Sequence, residues 1–323
     1  MEQEKPKIEL YRTREFTEKL SDTFAFLREN WRMLLKYFTY SMLPASLVLA
    51  FFMSHFWTGY MSIILAAEGA VNMDDSHIIS FFLNAGMTII VGVLAYAVLL
   101  AVVFALFRLY RVRPNRLCDL SADEFNAEFK FCMKRSLIML LFMAALAVVI
   151  GLVLILVVGV LSIVNFTLGI IALLLFYALI IVVAMPLSLM PPIYFMEDKT
   201  GVFAAFKKTL RLGFATWGGI FLVTFIIGLL TGVIQSFTMV PWYILFLIKT
   251  IFTVTGDLEG SFVNSIFYTF MEYLSCVLQC LGYMVSAVIT LVAVTVQYGH
   301  ASDKIDGVGV AQNIEHFDEF DNF

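Results

Sequence analysis

The sequence predicts an all-α integral membrane protein with six transmembrane helices and both termini on the cytoplasmic side (N-in/C-in). Three observations lead there. The composition is that of a membrane chain, the charges are sorted into clusters separated by long bare gaps, and amphipathic segments recur ahead of the apolar runs. Of 323 residues, 61% are hydrophobic and only 14% charged, the net charge is −4 and the mean hydropathy is +0.90. A soluble domain carries about 25% charged residues, so both a disordered chain and a water-soluble globule are excluded.

A bilayer-crossing helix needs about 20 apolar residues. No charge falls between Lys36 and Glu68, Asp75 and Arg108, Arg135 and Glu197, Arg211 and Lys249, or Glu272 and Asp303. The third gap, Ser136 to Met196, holds 61 residues, enough for two spans joined by a tight turn at Asn165. The expected spans are therefore roughly 35–56, 78–107, 136–161, 167–190, 217–238 and 272–298. They must be helical, because backbone groups in lipid pair internally, and no β-barrel alternation is present.

Orientation follows from the cations. Six spans put both termini on one face, which then holds 20 of the 21 basic residues, with Lys249 alone opposite. The opposite face carries Glu68, Asp74, Asp75, Asp257, Glu259 and Glu272. Residues 1–30 are too charged for a cleavable signal peptide, so the first span is expected to act as the signal. None of the four cysteines (118, 132, 276, 280) sits where a disulfide would be expected to form.

Ahead of the first span, Phe16, Leu20, Phe24, Leu27 and Trp31 share a helical face, as expected of a helix lying in the membrane interface. Ser121 and Glu124 form a capping-box pattern that opens a second such helix, with Phe125, Phe129 and Met133 on one face. Val202, Phe206 and Leu210 line a third. Either these mark three repeats of an interfacial helix plus a two-span hairpin, near 16–110, 121–196 and 202–300, or they show the amphipathicity common to loops that feed a span. The domain reading is a cytoplasmic segment 1–15, a membrane domain 16–304 and an acidic-aromatic tail 305–323. Segment 240–254 opens with Pro241 and Trp242, is too short to cross, and reads as a separate helix near the outer headgroups. Pro186 marks either a hinge or a plain helix end, and Gly228 and Gly232 offer a small-residue packing face.

Candidate functional residues are few. The expected spans are nearly free of charge, with Lys36 and Glu272 only at the ends of the first and the last, which argues against ion or proton coupling. Asn84, Gln235 and Gln279 are candidate cavity-lining residues; Arg108, Arg111, Arg113, Arg116, Lys207 and Lys208 are candidate contacts for anionic lipid headgroups. Phe317, Phe320 and Phe323, interleaved with acids in the tail, are candidate anchors for a docking partner. No catalytic, cofactor or metal-ligand set stands out, and a divalent site at His55, Asp74, Asp75 and His77 matches no closed motif. The expected partners are membrane lipids and other envelope proteins, reached through the tail or the outer face, with no nucleic acid.

The run Met185-Pro186-Leu187 through Pro191-Pro192-Ile193-Tyr194-Phe195-Met196-Glu197-Asp198, then Gly201 to Arg211 and Trp217, resembles a known pattern. It is similar to the polytopic membrane domain that accompanies some bacterial glycerophosphodiester phosphodiesterases and to its stand-alone YciC-like relatives. Ser21 to Phe24 and Glu29 to Trp31 resemble the first unit of such proteins in Bacteroidetes-like bacteria. The resemblance implies a bacterial inner-membrane, multi-pass, non-enzymatic protein, because the phosphodiesterase catalytic domain has no counterpart in the chain. Two functions fit that frame: a scaffold or accessory for envelope or lipid organisation, and a transporter or flippase for a lipid-like or amphiphilic solute.

Overall fold

Apolar runs of this length have one low-energy form, and a computed structural model shows it: every regular element among the described residues is helical. The structure describes residues 7–67, 74–114, 116–118, 120–254 and 262–311. In chain order the α-helices are α1 (Phe16–Ala67), α2 (Asp75–Val112), α3 (Ala122–Val164), α4 (Phe166–Leu187), α5 (Met190–Met196), α6 (Val202–Ala215), α7 (Trp217–Val254) and α8 (Ile266–Asp306), with a short 3₁₀ turn at Phe262–Asn264. Among the described residues six stretches are long and apolar enough to cross a membrane, and each expected span lies within one of them.

The expected breaks between interfacial helices and spans are absent in two of three cases. Residues 16–31 run without interruption into the first span as α1, with Pro44 inside it, and 122–133 runs into the third span as α3. Only α6 is separate from the span that follows it. Segment 240–254 is a further correction. It continues the fifth span as part of α7, with Pro241 inside the helix, so it is not a separate interfacial piece. Neighbouring groups in a bundle can compensate for the lost proline donor, and Trp242 is buried against Trp57, ring centroids 4.6 Å apart.

The chain divides into two compact units. One comprises Met1–Trp31, Leu100–Ile227 and Thr290–Phe323; the other, Arg32–Leu99 and Gly228–Ile289. In the first unit Phe104 stacks on Phe195 at 4.5 Å and Phe26 on Phe107 at 4.2 Å. The capping box is formed: the Ser121 hydroxyl accepts from the Glu124 N–H and the Glu124 carboxylate accepts from the Ser121 N–H, both at 3.3 Å. The α3–α4 hairpin turns at Asn165, which ends α3 in an extended conformation and starts α4 by accepting from the Thr167 N–H at 2.8 Å. Asn165→Ala should cost about 1 kcal/mol, read as a lower unfolding midpoint in mild detergent.

Pro186 occupies the last turn of α4, and the helix stops at Ser188, whose N–H bonds back to Ala184 and Met185; the chain restarts as α5 at Met190. That is a helix end. Gly213 of α6 presses on it, since a Cβ there would lie 2.6 Å from Pro186 Cα.

The second unit is built around Ala50, Trp242, Cys276, Val277 and Cys280, with Trp57 and Phe246 against them. Gly228 and Gly232 do not form the expected packing face, because a Cβ at either would meet nothing within 4 Å. They line an open groove of about 460 Å³ on α7.

Candidate functional site: a polar cleft in the second unit

Small polar residues sit in an apolar helix at little cost when their hydroxyls bond back to the preceding turn. In α1, Ser54 donates to the Phe51 carbonyl at 2.9 Å and Ser62 to Thr58 at 3.0 Å, which leaves a polar strip along one side of the helix. Ser80 and Asn84 of α2 continue it, with the Asn84 amide on the Ser80 carbonyl at 2.9 Å. These residues line a cleft of about 770 Å³ whose other wall comes from α7 and α8.

Charge enters through Lys249 and Glu272. The ammonium lies 3.6 Å from Glu272 Oε1, and the same oxygen receives the Thr58 hydroxyl at 3.4 Å. Lys249 also lies over the Tyr268 ring, whose hydroxyl is tied to the Leu245 carbonyl at 2.6 Å. His55 bonds through Nδ1 to the Phe51 carbonyl at 2.8 Å. Phe51 and Phe270 are more than half exposed along the same cleft. The result is a polar wall carrying both signs of charge beside exposed aromatic surface, a chemistry suited to the headgroup and upper chain of an amphiphile.

Asp74 stands at the start of α2 next to this cleft. Its carboxylate accepts from the Ser76 hydroxyl at 2.8 Å, from the His77 N–H at 3.2 Å and from the His77 ring. The Ser76 bond first, then those from His77, hold its pKa down to about 2. A depressed carboxylate keeps its folded contacts above the ordinary value and loses them as pH falls through the folded one. The contacts should therefore survive acidification through about pH 4 and break only near 2, which a carboxyl chemical-shift titration would read.

Of the three expected cavity residues, only Asn84 lines this cleft. Gln279 is buried, with its Oε1 lacking a hydrogen-bond partner among the described residues, and Gln235 is half-buried on α7; neither borders the cleft. The structure does not bring the three together.

In the first unit, five of the six expected headgroup cations have protein partners. Arg108 bonds to Glu128 at 2.8 Å, to Asp198 and to the Phe195 carbonyl at 3.0 Å. Arg111 reaches the Met196 carbonyl, Arg113 pairs with Glu124, and Arg116 with Glu29. Lys208 bridges Glu197 at 2.7 Å and Asp306 at 3.4 Å. Lys207 is exposed and has no ion pair among the described residues. Phe317, Phe320 and Phe323 lie outside the described residues. The fold itself extends past the expected tail boundary at 305, because Asp306 pairs with both Arg211 and Lys208.

Arg135, which in the sequence only bounds a charge gap, has a buried guanidinium that donates to the carbonyls of Glu197, Asp198 and Thr200 at 3.1, 3.0 and 2.8 Å. Glu197 Oε1 also receives the Tyr298 hydroxyl at 2.7 Å. The signal was present: Phe125, Cys132, Arg135 and Met139 share the buried face of α3, which is rotated from the Phe125–Phe129–Met133 face expected. No family model matches the chain, and neither a curated protein nor a solved structure matches it.

Proposed function

We propose that the chain is a non-enzymatic, multi-pass protein of the bacterial inner membrane, with both termini cytoplasmic, that holds a lipid-like amphiphile in the cleft of the second unit. In that capacity it acts as a scaffold or accessory for lipid and envelope organisation. The observation that carries this reading is the Lys249–Glu272 pair set in a cleft with exposed Phe51 and Phe270. A zwitterionic headgroup finds both charges there, and an acyl chain finds aromatic surface.

Passage through the bundle would need the polar lining to continue along α8 to Gln279. That residue does not border the cleft and is 1% exposed, which supports holding over transport. The resemblance to accessory membrane domains of glycerophosphodiester phosphodiesterases agrees with a lipid-associated role. The acidic-aromatic tail supplies a docking element for other envelope proteins.

Purification from native membranes followed by native mass spectrometry tests the lipid reading. The wild type should retain a defined amphiphile, and the double variant Lys249→Gln, Glu272→Gln should lose it several-fold while keeping its helix content. An unchanged lipid complement would refute it. For the tail, truncation should begin at residue 312, which spares Asp306; co-purifying envelope proteins should then be lost.

A further inference from the structure

Lys19 is a buried cation whose neighbours do not neutralise it. The residue is 6% exposed, and its ammonium makes no hydrogen bond or ion pair with any described residue. The charges that act on it most strongly are Lys304 and Arg14, both of the same sign. The acids and the imidazole nearby are already engaged. Asp22 is held by the Arg14 guanidinium at 2.6 Å. Asp303 accepts from the backbone N–H groups of Thr13 and Gly309 at 2.8 and 2.9 Å, and His300 Nδ1 accepts from the Arg14 N–H at 3.0 Å. A lysine this largely buried normally has a counter-charge beside it, because an unpaired buried charge is destabilising.

A second observation lies on the same spot. Gln297 is fully buried, and neither its amide nitrogen nor its amide oxygen has a hydrogen-bond partner among the described residues. Both groups converge on Gly219. A Cβ added there would stand 3.1 Å from Gln297 Nε2 and 3.6 Å from Lys19 Nζ. Gly219 lies in the first turn of α7, where N–H groups have no intrahelical acceptor and the helix dipole favours an anion. Thr216, the residue before the helix, does not cap them, because its hydroxyl is turned back onto the Leu212 carbonyl at 2.8 Å. Gly218 is exposed, and a Cβ there would meet nothing within 4 Å, so the helix start is open on that side.

From this arrangement we propose that Lys19, the Gln297 amide and the first turn of α7 at Gly218 and Gly219 form a binding site for a phosphate group, occupied by the headgroup of an anionic phospholipid. A phosphate offers several acceptor oxygens and a negative charge to donors that approach from different sides. The exposed side chains of Phe214 and Phe221, four residues before and three after Gly218, favour a lipid source over free phosphate, because acyl chains would lie on them. The site is independent of the cleft of the second unit.

The test uses the full chain, delipidated in non-ionic detergent, with the unfolding midpoint followed against three additives: short-chain phosphatidylglycerol, inorganic phosphate and sodium chloride. Phosphatidylglycerol should raise the wild-type midpoint at concentrations where sodium chloride does not. Lys19→Met removes an uncompensated charge, so it should fold at least as stably without lipid and respond to phosphatidylglycerol with affinity weaker by roughly tenfold or more. Gly219→Ala leaves the lysine in place and sets a methyl group between it and the Gln297 amide, and it should show the same loss. Glu272→Gln should respond as the wild type does, which separates this site from the other cleft. A response to phosphatidylglycerol alone supports the headgroup. An equal response to inorganic phosphate, lost in the same variants, supports the phosphate site and overturns its assignment to lipid. If wild type, Lys19→Met and Gly219→Ala all respond alike, the site does not exist.

Discussion

Arg135→Ala is expected to cost about 2–4 kcal/mol of stability, since each carbonyl left without its donor costs about 1–3 kcal/mol. Three backbone carbonyls, those of Glu197, Asp198 and Thr200, end the chain's run through α5 and point at this one guanidinium. Carbonyls just past a helix end have no acceptor duty inside the helix; that of Glu197 also accepts from the Thr200 N–H at 3.2 Å, while those of Asp198 and Thr200 depend on Arg135, which is 8% exposed. The guanidinium also lies 4.1 Å from the Tyr194 ring centroid, so the loss removes a cation–π contact as well. Arg135→Lys should recover only part of the loss, since a single ammonium cannot match a planar fork spread over three acceptors. The unfolding midpoint in mild detergent reads both variants, with Lys207→Ala as the exposed reference. A midpoint for Arg135→Ala equal to that of Lys207→Ala would show that the three carbonyls find other donors.

Membership in the spans was readable because charge is the quantity lipid punishes most, and the bare gaps mark where none is tolerated. The turn at Asn165 and the cap at Ser121 were readable for a different reason. Each is a local hydrogen-bonding pattern that does not depend on distant partners. Continuity through Pro241 was not readable, since a proline breaks or merely punctuates a helix according to what surrounds it, and Trp57 lies elsewhere in the sequence.

The cations were read the wrong way round for a physical reason. In water a lysine on an amphipathic helix faces out, whereas beside lipid the exposed face is the apolar one. Phe24 and Trp31 are exposed on α1, while Lys19, Thr23, Phe26 and Asn30, spaced four, three and four apart, turn into the protein. The same inversion hides Arg135 on α3. Among the proposed cavity residues only Asn84 reaches the cleft. The cleft is made by Ser and Thr residues that no sequence motif singles out, by His55 and His77, weighed in the sequence only as metal ligands, and by Lys249 and Glu272, each of which bounds a separate charge gap.

Gly299→Ala should detach the segment ahead of α1 from α8. A Cβ at Gly299 would overlap the Leu10 carbonyl, and backbone cannot rotate away as a side-chain tip can. That contact is one of several that seat residues 8–14: Thr13 N–H donates to Asp303 at 2.8 Å, Arg14 N–H to His300 at 3.0 Å, and the Tyr11 and Tyr298 hydroxyls meet at 3.3 Å. Gly309 repeats the device, since a Cβ there would stand 2.5 Å from the Tyr11 carbonyl. Overpacking of this kind costs about 1–3 kcal/mol, which if spent on local opening raises amide exchange by roughly tenfold for each 1.4 kcal/mol. Hydrogen exchange at Thr13 and Arg14 should therefore accelerate by about tenfold or more in the variant, with α3 and α4 unaffected. Arg14 would move with the segment and release Asp22 toward Lys19, so the same substitution should weaken the response to phosphatidylglycerol by supplying a competing carboxylate. Unchanged exchange at Thr13 and Arg14 would mean that the segment is held by its hydrogen bonds alone and that Gly299 is incidental to its seating.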